Sequence, residues 1–299
     1  MKRFLAYVLA AMLLLSLCAC GGKAGQTTTE PVATTQPHPT APKSLKVLAI
    51  GNSFSVDAMT YLYQIAEQEG VEEIVLGNFF VGACTLKMHA DYMESGAASY
   101  RYDKNTDGTW VQTPDTTLLT GLLDEEWDVI TMQQASQDSG IVTTYQPYLN
   151  NLIAYVQEKC PNAKIMWHMT WAYQSDSDHK AFPNYGNEQM SMYYGIVNCL
   201  QKEIDTNENI AATIPSGTVI QNLRNSVIGD ALTRDGYHLN NLGKLAAGYT
   251  WYAILANQPI QSVKMDMLGK TPVTEQQQNL IVKAVNAALE KPQSVTPVK

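Results

Sequence analysis

The chain has 299 residues, of which 45% are apolar and 16% are charged. This length accommodates one α/β domain of roughly 250 residues with a leader and a tether, and the composition excludes an intrinsically disordered protein. Loss of a leader containing Lys2 and Arg3 leaves 18 of the 20 basic residues against 28 acidic ones, a net charge of −10. A surface of this sign repels nucleic acid, so we expect no nucleic-acid partner.

The first residues have the features of an export signal. Two basic residues precede an apolar run over residues 4–17, which suits a signal-peptide core and is short for a membrane span. The segment closes on Ala19 and Cys20, a pair that resembles a bacterial lipobox, in which a small residue precedes the cysteine that is lipidated. We therefore expect a lipoprotein signal peptide over 1–19, lipidation of Cys20, and a lipid anchor that holds the exported protein on a bacterial membrane in the cell envelope. The alternative is an ordinary leader with incidental cysteines.

The next segment has the composition of a linker. Residues 21–43 are rich in Thr, Pro, Gly, Gln and Ala without apolar periodicity, so 20–43 is predicted to be a flexible tether and 44–299 the folded domain. Three cysteines remain in that domain, Cys84, Cys160 and Cys199, and no close metal-type spacing relates them. At most one disulfide can form among them.

Apolar runs and helical periodicity alternate through the domain. Strands are predicted at 45–50, 74–81, 127–132, 164–169 and 210–214, and helices at 56–69, 86–93, 118–123, 148–159, 188–203, 219–225, 241–256 and 275–289. An Asn-Thr-Asp-Gly turn at 105–108 indicates a hairpin insertion at about 100–112, which we interpret as a surface excursion. Because parallel strands need crossovers of this length, the pattern predicts an α/β fold with a mostly parallel five-stranded sheet covered by helices on both faces.

Ser53 stands where the first predicted strand gives way to the first helix, within Gly-Asn-Ser-Phe-Ser at 51–55. A serine at this turn can project its hydroxyl above the sheet, at the carboxyl ends of the strands where chemistry gathers in such folds. The helix N-terminus also offers free N–H groups to a developing oxyanion. The alternative is that Ser53 or Ser55 only caps the helix, which is a common use of serine.

An acid and a histidine stand three residues apart near the end of the domain. Asp235 and His238 belong to Thr-Arg-Asp-Gly-Tyr-His-Leu-Asn at 233–240, just before a predicted helix. In a turn of this length the carboxylate can accept from one ring nitrogen while the other faces a nucleophile, as in a Ser-His-Asp triad. An Asp-Gly turn beside a surface histidine is the alternative.

Taken together, Gly-Asn-Ser-Phe-Ser at 51–55 and Asp-Gly-Tyr-His at 235–238 resemble the first and last blocks of the SGNH (GDSL-like) hydrolase superfamily, with Asn52 where many members have Asp. The stretch from about 45 to 257 is similar to a branch known mainly as a domain of unknown function. The resemblance implies a flavodoxin-like three-layer α/β/α sandwich, no metal and no cofactor, and ester hydrolysis through an acyl-enzyme, with Ser53, His238 and Asp235 as the catalytic residues.

The same superfamily uses a Gly after the second strand and an Asn after the third as oxyanion donors. Gly82 matches the first block, and a residue without a side chain lets the backbone N–H approach a substrate oxygen closely. At the second block the chain has Gln-Gln-Ala-Ser at 133–136, so Gln134 is predicted to replace the Asn, because its amide offers the same donor on a longer arm. Gln133 is the second choice for this role. The implied oxyanion donors are the N–H of Ser53, Gly82 and Gln134. The alternative for Gln134 is a purely structural role.

Aromatic residues follow the fourth predicted strand, in Trp-His-Met-Thr-Trp-Ala-Tyr at 167–173. We predict that Trp171 and Tyr173 contact the substrate, and core packing is the alternative. Asp176, Asp178 and His179 form a polar cluster that we interpret as a hydrated loop and not as a cation site, because no further ligand lies at a recognisable spacing.

These features favour an envelope serine esterase that removes acyl groups, such as acetyl, from a carbohydrate or another small ester. Two alternatives stay open. One is a glycan-binding envelope lipoprotein that keeps the fold without turnover, and the other is an acyltransferase that uses the same triad.

Overall fold

The structure is a computed structural model that describes residues 41–299. The predicted signal peptide, Cys20 and residues 20–40 of the predicted tether lie outside the described residues. Within 41–299, no helix combines the length and the apolar character that crossing a membrane requires.

Strands and helices alternate along the described chain. The strands are β1 (Ser44–Gly51), β2 (Glu73–Phe80), β3 (Tyr100–Asn105), β4 (Trp110–Thr116), β5 (Val129–Met132), β6 (Lys164–His168), β7 (Ile210–Ile214), β8 (Met267–Leu268) and β9 (Thr271–Pro272). The α-helices are α1 (Ser53–Met59), α2 (Leu62–Glu69), α3 (Leu86–Ser95), α4 (Leu118–Leu122), α5 (Tyr148–Lys159), α6 (Gln189–Cys199), α7 (Ser216–Arg224), α8 (Asn241–Leu255) and α9 (Glu275–Glu290).

The central sheet has the order β4-β3-β2-β1-β5-β6-β7. Five neighbouring strands in it, β2, β1, β5, β6 and β7, are parallel. The predicted α/β fold is therefore confirmed, but the sheet has seven strands and not the predicted five. The two additional strands are the arms of the hairpin insertion, which we expected to be a surface excursion. They extend the sheet because β3 pairs with the edge of β2 in antiparallel orientation.

The hairpin forms where the sequence signal placed it. The Oδ1 of Asn105 accepts the N–H of Gly108 at 2.8 Å, and Gly108 has a φ of 93°, which favours glycine. The register aligns three polar residues across neighbouring strands, since Asn78 lies opposite Asp103, and Asp103 lies opposite Gln112. Directly opposed residues share one face of a sheet.

Eight of the nine α-helices in residues 41–299 pack in two groups that flank the sheet. One group contains α1, α2, α7, α8 and α9, and the other contains α3, α4 and α5. The chain moves from β1 to β2 on one side, and later from β5 to β7 on the other side of β1. The strand order thus reverses at β1, and crevices at the carboxyl ends of the strands beside such a point are where α/β folds bind ligands.

The predicted helix at 56–69 is two helices, and the first begins earlier than predicted. The side chain of Asn52 accepts the N–H of Phe54, which starts α1 at Ser53. The helix breaks after Thr60, and α2 begins at Leu62. Ser53 therefore occupies the first position of a helix, directly after the central strand β1.

Candidate active site

A tight turn places Ser53 at the end of β1. A Cβ at Gly51 would lie 2.3 Å from the Oγ of Ser55, so this position accepts only glycine without a rearrangement. Asn52 is buried, and its Nδ2 donates to the carbonyl of Cys84 at 3.3 Å. The turn is thereby fixed to the loop after β2, and the side chain of Ser53 is half-buried.

The structure brings Ser53, His238 and Asp235 together in one chain of hydrogen bonds. The Nε2 of His238 lies 2.8 Å from the Oγ of Ser53, and its Nδ1 lies 2.7 Å from the Oδ2 of Asp235. A carboxylate only accepts hydrogen bonds, so Nδ1 carries the proton and Nε2 is left to accept from the hydroxyl. This arrangement allows His238 to take the proton of Ser53 as the hydroxyl attacks an electrophile.

Asp235 is held as a carboxylate. Its Oδ1 accepts the backbone N–H of Tyr237 at 3.2 Å and that of His238 at 2.7 Å. Partial burial pushes the pKa of the Asp235 carboxyl upward, but these bonds and the bond to the imidazole outweigh it, and the pKa lies below its ordinary value. The group is therefore ionised at neutral pH and stabilises an imidazolium on His238.

A second carboxylate, that of Asp57, connects α1 to the segment at 233–240 that contains His238, which we call the histidine loop. Asp57 lies on α1, its side chain is 2% exposed, and it accepts the N–H of Leu239 at 2.8 Å. Arg234 donates to both of its oxygens at 3.1 and 3.0 Å, and the Nζ of Lys244 lies 3.3 Å away. The sequence analysis did not identify Asp57. The sign that it has a special role was an acidic residue within the apolar pattern of the first helix, four positions after Ser53.

Buried polar side chains connect the ends of four parallel strands. The amide of Gln133 donates to the Oδ1 of Asn52 at 2.8 Å and accepts at 2.9 Å from the Nδ1 of His168, whose Nε2 lies 3.1 Å from the hydroxyl of Ser216. Burial lowers the pKa of His168 to about 3, so the ring is neutral. Asn52, at one end of this row of hydrogen-bonded side chains, caps α1. The row therefore fixes the position of Ser53 relative to β5, β6 and β7.

Gln134 does not supply a free donor, which corrects the prediction of an oxyanion role. Its amide nitrogen donates to the carbonyl and the hydroxyl of Thr144, both at 3.1 Å. Its oxygen accepts the N–H groups of Leu86 and Ala135, both at 2.9 Å. The side chain is 1% exposed, so all its hydrogen-bonding capacity is used to join the loops after β2 and β5.

Gly82 keeps the features that suit an oxyanion donor. It is exposed, a Cβ added there would meet nothing within 4 Å, and it lies in a turn closed by the N–H of Cys84 on the carbonyl of Val81. The next residue, Ala83, has a φ of 52°, a strained value for a residue with a side chain. Within 41–299, neither the N–H of Gly82 nor that of Ser53 has a hydrogen-bond acceptor.

Trp171 and Tyr173 are fully buried, which corrects the prediction that they contact the substrate. Trp171 stacks on Phe54 with 4.3 Å between ring centroids, and its Nε1 donates to the carbonyl of Tyr237 at 2.7 Å. The hydroxyl of Tyr173 lies 3.0 Å from that of Ser136. Both residues pack beneath the histidine loop, and the half-buried ring of Tyr237 lies 4.4 Å from the ring of His238.

The part of the chain that the structure describes contains no group of three or more His, Cys, Asp or Glu residues arranged to hold a metal ion. Asp176 and Asp178 are exposed in the loop after β6. The three described cysteines are free thiols, and burial raises the pKa of Cys84 to about 12. This pKa shift makes Cys84 a poor nucleophile at neutral pH.

Replacement of Asp57 by Asn is expected to lower the free energy of unfolding by about 1–3 kcal/mol, because Arg234 and Lys244 lose their counter-charge. Urea denaturation measures this. Asp91→Asn is the control, since Asp91 pairs with Lys87 on the surface and should change stability by less than about 1 kcal/mol. Equal effects of the two substitutions would contradict the role assigned to Asp57.

Comparison with known proteins identifies the family of this chain. Residues 46–288 match the family described as a domain of unknown function, DUF4886. The crystal structure of a DUF4886 family protein from Bacteroides uniformis is similar, with 38% identity and a TM-score of 0.79, covering 85% of this chain and 98% of that one. No curated protein matches the sequence.

Two solved structures are more distantly similar. A candidate GDSL-like lipase from Parabacteroides merdae has 12% identity and a TM-score of 0.47, covering 74% of this chain and 99% of its own. A catalytic mutant of an acetylxylan esterase from Geobacillus stearothermophilus has 10% identity and a TM-score of 0.44, covering 73% and 95%. The family match and the similarity to the Bacteroides uniformis structure together show that the chain belongs to the DUF4886 family.

Proposed function

We propose that this protein is a serine esterase that acts through Ser53, His238 and Asp235. The observation that carries the proposal is the unbroken hydrogen-bonded chain from the Oδ2 of Asp235 through the imidazole to the Oγ of Ser53, at 2.7 and 2.8 Å. A surface serine that merely caps a helix does not need an imidazole at its hydroxyl. A nucleophile does, because the free hydroxyl is a weak one at neutral pH.

In the proposed reaction, the Oγ of Ser53 attacks the ester carbonyl while the Nε2 of His238 takes its proton. In the resulting tetrahedral intermediate, the bond between the carbonyl carbon and the alcohol oxygen then breaks, and the imidazolium gives its proton to the departing alcohol. Water then attacks the carbonyl of the acyl-enzyme while the Nε2 of His238 takes its proton. The bond between the acyl carbon and the Oγ of Ser53 breaks, and His238 returns the proton to this Oγ as the acid leaves. Asp235 stays ionised throughout and stabilises the imidazolium.

The oxyanion of the intermediate would be held by backbone groups. Ser53 is the first residue of α1, where the N–H groups of a helix lack internal partners and the helix dipole is positive. The N–H of Gly82 is the second donor, presented in an exposed turn with open space around it. With Gln134 engaged elsewhere, the proposed oxyanion hole consists of these two backbone donors.

The proposed substrate is a neutral or cationic ester with a short acyl group, such as an acetylated carbohydrate. The net charge of −10 calculated for the chain without its leader disfavours polyanionic substrates. The half-buried hydroxyl of Ser53 is reachable by an ester on a larger molecule.

Alanine at position 53 tests the nucleophile directly. We expect the purified domain to hydrolyse a 4-nitrophenyl acetate probe, and Ser53→Ala to lower kcat by a factor on the order of 10³ or more. Ser99→Ala is the matched control, since Ser99 is exposed and remote in sequence from the site residues. Turnover by Ser53→Ala at the wild-type rate would exclude the mechanism.

Covalent labelling and product analysis separate the proposed esterase from the two alternative functions. A fluorophosphonate labels only an activated serine, so a glycan-binding protein without catalysis would stay unlabelled at Ser53. An acyltransferase would be labelled, but its products would change when a sugar acceptor is added.

Asp235→Asn tests the part played by the carboxylate. The amide can donate to Nδ1, which stabilises the wrong tautomer, so we expect kcat to fall by about 10²- to 10⁴-fold with little change in fold. Circular dichroism and the rate of aryl ester hydrolysis measure the two effects. A variant with native spectra and unchanged kcat would show that Asp235 does not orient the histidine.

We also propose that the protein is exported and anchored in a bacterial cell envelope through a lipid on Cys20. The support is the sequence, in which Ala19 and Cys20 follow an apolar segment with two basic residues before it. Expression of the full chain in a bacterial host followed by membrane fractionation tests this. The wild type should sediment with membranes and Cys20→Ser should not, whereas identical distributions would argue against the anchor.

A further inference from the structure

A cavity of about 150 Å³ lies between α1 and the hairpin insertion, and the mechanism above does not use it. Asn78 and Asp103 form its buried floor. Gln112 is exposed, and the other three lining residues are half-buried, so the cavity is open at one side. Its lining consists of Val56, Thr60, Asn78, Asp103, Trp110 and Gln112.

The floor contains a donor without an acceptor. Asn78 is 1% exposed, and its Oδ1 accepts the hydroxyl of Ser55 at 2.6 Å. Its Nδ2 has no hydrogen-bond partner among residues 41–299. Buried polar groups are rarely left unpaired, because the lost hydration is not replaced. An oxygen atom of a ligand in the cavity would complete the hydrogen bonding of Asn78.

The floor also contains an acceptor held in a fixed position. Asp103 is 4% exposed, and Arg101 donates to its two oxygens at 2.6 and 2.7 Å. The guanidinium group of Arg101 lies in turn 4.1 Å from the ring centroid of Phe80. Each carboxylate oxygen has a second lone pair, so Asp103 can still accept hydrogen bonds from hydroxyl groups in the cavity.

The walls of the cavity provide the other contacts that a ring with polar substituents needs. Gln112 lies opposite Asp103 on the neighbouring strand and brings an amide that both donates and accepts. Trp110 is two residues earlier on the same strand, so its ring is on the same face of the sheet as Gln112. An aromatic face beside a row of amide and carboxylate groups suits a ring that has apolar C–H faces and polar edges.

The cavity adjoins the helix that carries the nucleophile. Ser53, Val56 and Thr60 are spaced three and four residues apart, so they lie along one side of α1 and its C-terminal end. The rise from Ser53 to Val56 is about 4.5 Å, at about 1.5 Å per residue. The cavity therefore begins about one helical turn beyond Ser53, on the side of α1 that carries this residue.

We propose that this cavity binds the hydroxylated six-membered ring of a sugar whose ester is presented to Ser53. A cavity of about 150 Å³ is large enough for a benzene-sized ring. The polar lining requires hydroxyl groups on that ring, which can donate to Asp103 and accept from Asn78. The proposal rests on the proposed esterase function, and it assigns the hairpin insertion a role in recognising the alcohol part of the substrate.

The kinetic test compares an acetylated methyl glucopyranoside with 4-nitrophenyl acetate. The ratio of kcat/KM for the sugar acetate to that for the aryl acetate should fall at least about tenfold in Gln112→Ala and in Trp110→Ala, with the change mainly in KM. Val111→Ala is the matched control, because Val111 lies between these residues on the opposite face of β4 and is 64% exposed. A ratio that stays constant in the first two variants, or falls equally in Val111→Ala, overturns the proposal.

A binding test decides the proposal even if esterase activity fails. Ser53→Ala protein is titrated with methyl glycosides of glucose, galactose, xylose and N-acetylglucosamine, and the indole N–H signal of Trp110 is followed by NMR. Saturable shifts with at least one glycoside, weakened at least about tenfold by adding Gln112→Ala, support the site. Absence of saturable shifts with every glycoside overturns it, whereas hydrolysis by Ser53→Ala at the wild-type rate would reject only the proposed mechanism.

Discussion

The carboxylate of Asp57 joins two segments that the chain separates by 182 residues. It lies one helical turn after Ser53, and it accepts from the backbone of the residue that follows His238. Burial of a carboxylate is costly unless donors surround it, and here a backbone N–H, Arg234 and Lys244 do so. The hydrogen bond between the Oγ of Ser53 and the Nε2 of His238 is therefore supported by an ion pair that takes no part in the proposed chemistry.

The sheet supplies the second constraint on the site. Asn52 caps the helix at Ser53 and accepts from Gln133, which in turn contacts His168 at the end of β6. Because each member of this row is buried and hydrogen-bonded, a shift of one strand end would leave polar groups unpaired on the others. The turn of Ser53 is thus held from the strand side by neutral hydrogen bonds and from the helix side by the charge of Asp57.

The sequence predicted the features that are encoded locally. Alternating apolar runs and helical periodicity predicted the parallel strands and most of the helices, and Ser53 was expected at the end of the first strand because Gly51 terminates that strand. The spacing of Asp235 and His238 predicted their mutual contact, which is short-range. That Ser53 lies at hydrogen-bonding distance from His238 was inferred from a resemblance, since no local pattern relates residues 185 positions apart.

The features that were missed depend on partners distant in sequence. The amide of Gln134 is turned away from the site by contacts with Thr144 and Leu86, which its position in the sequence does not reveal. Trp171 and Tyr173 were expected at the surface of a cleft, but the histidine loop and Phe54 cover them. The hairpin joins the sheet because its register matches the edge of β2, which its own turn signal does not specify. The pairing of Asp57 with Arg234 was hidden for the same reason.

The most direct test of the account is to trap the acyl-enzyme. The purified domain is mixed with an excess of 4-nitrophenyl acetate, quenched in acid within the first turnover, digested, and analysed by mass spectrometry. The account predicts that the peptide containing Ser53 gains the mass of one acetyl group in the wild type, and that the gain is lost in His238→Ala. Turnover of the ester with no acetyl group on Ser53, or with the acetyl group on another residue, would contradict it.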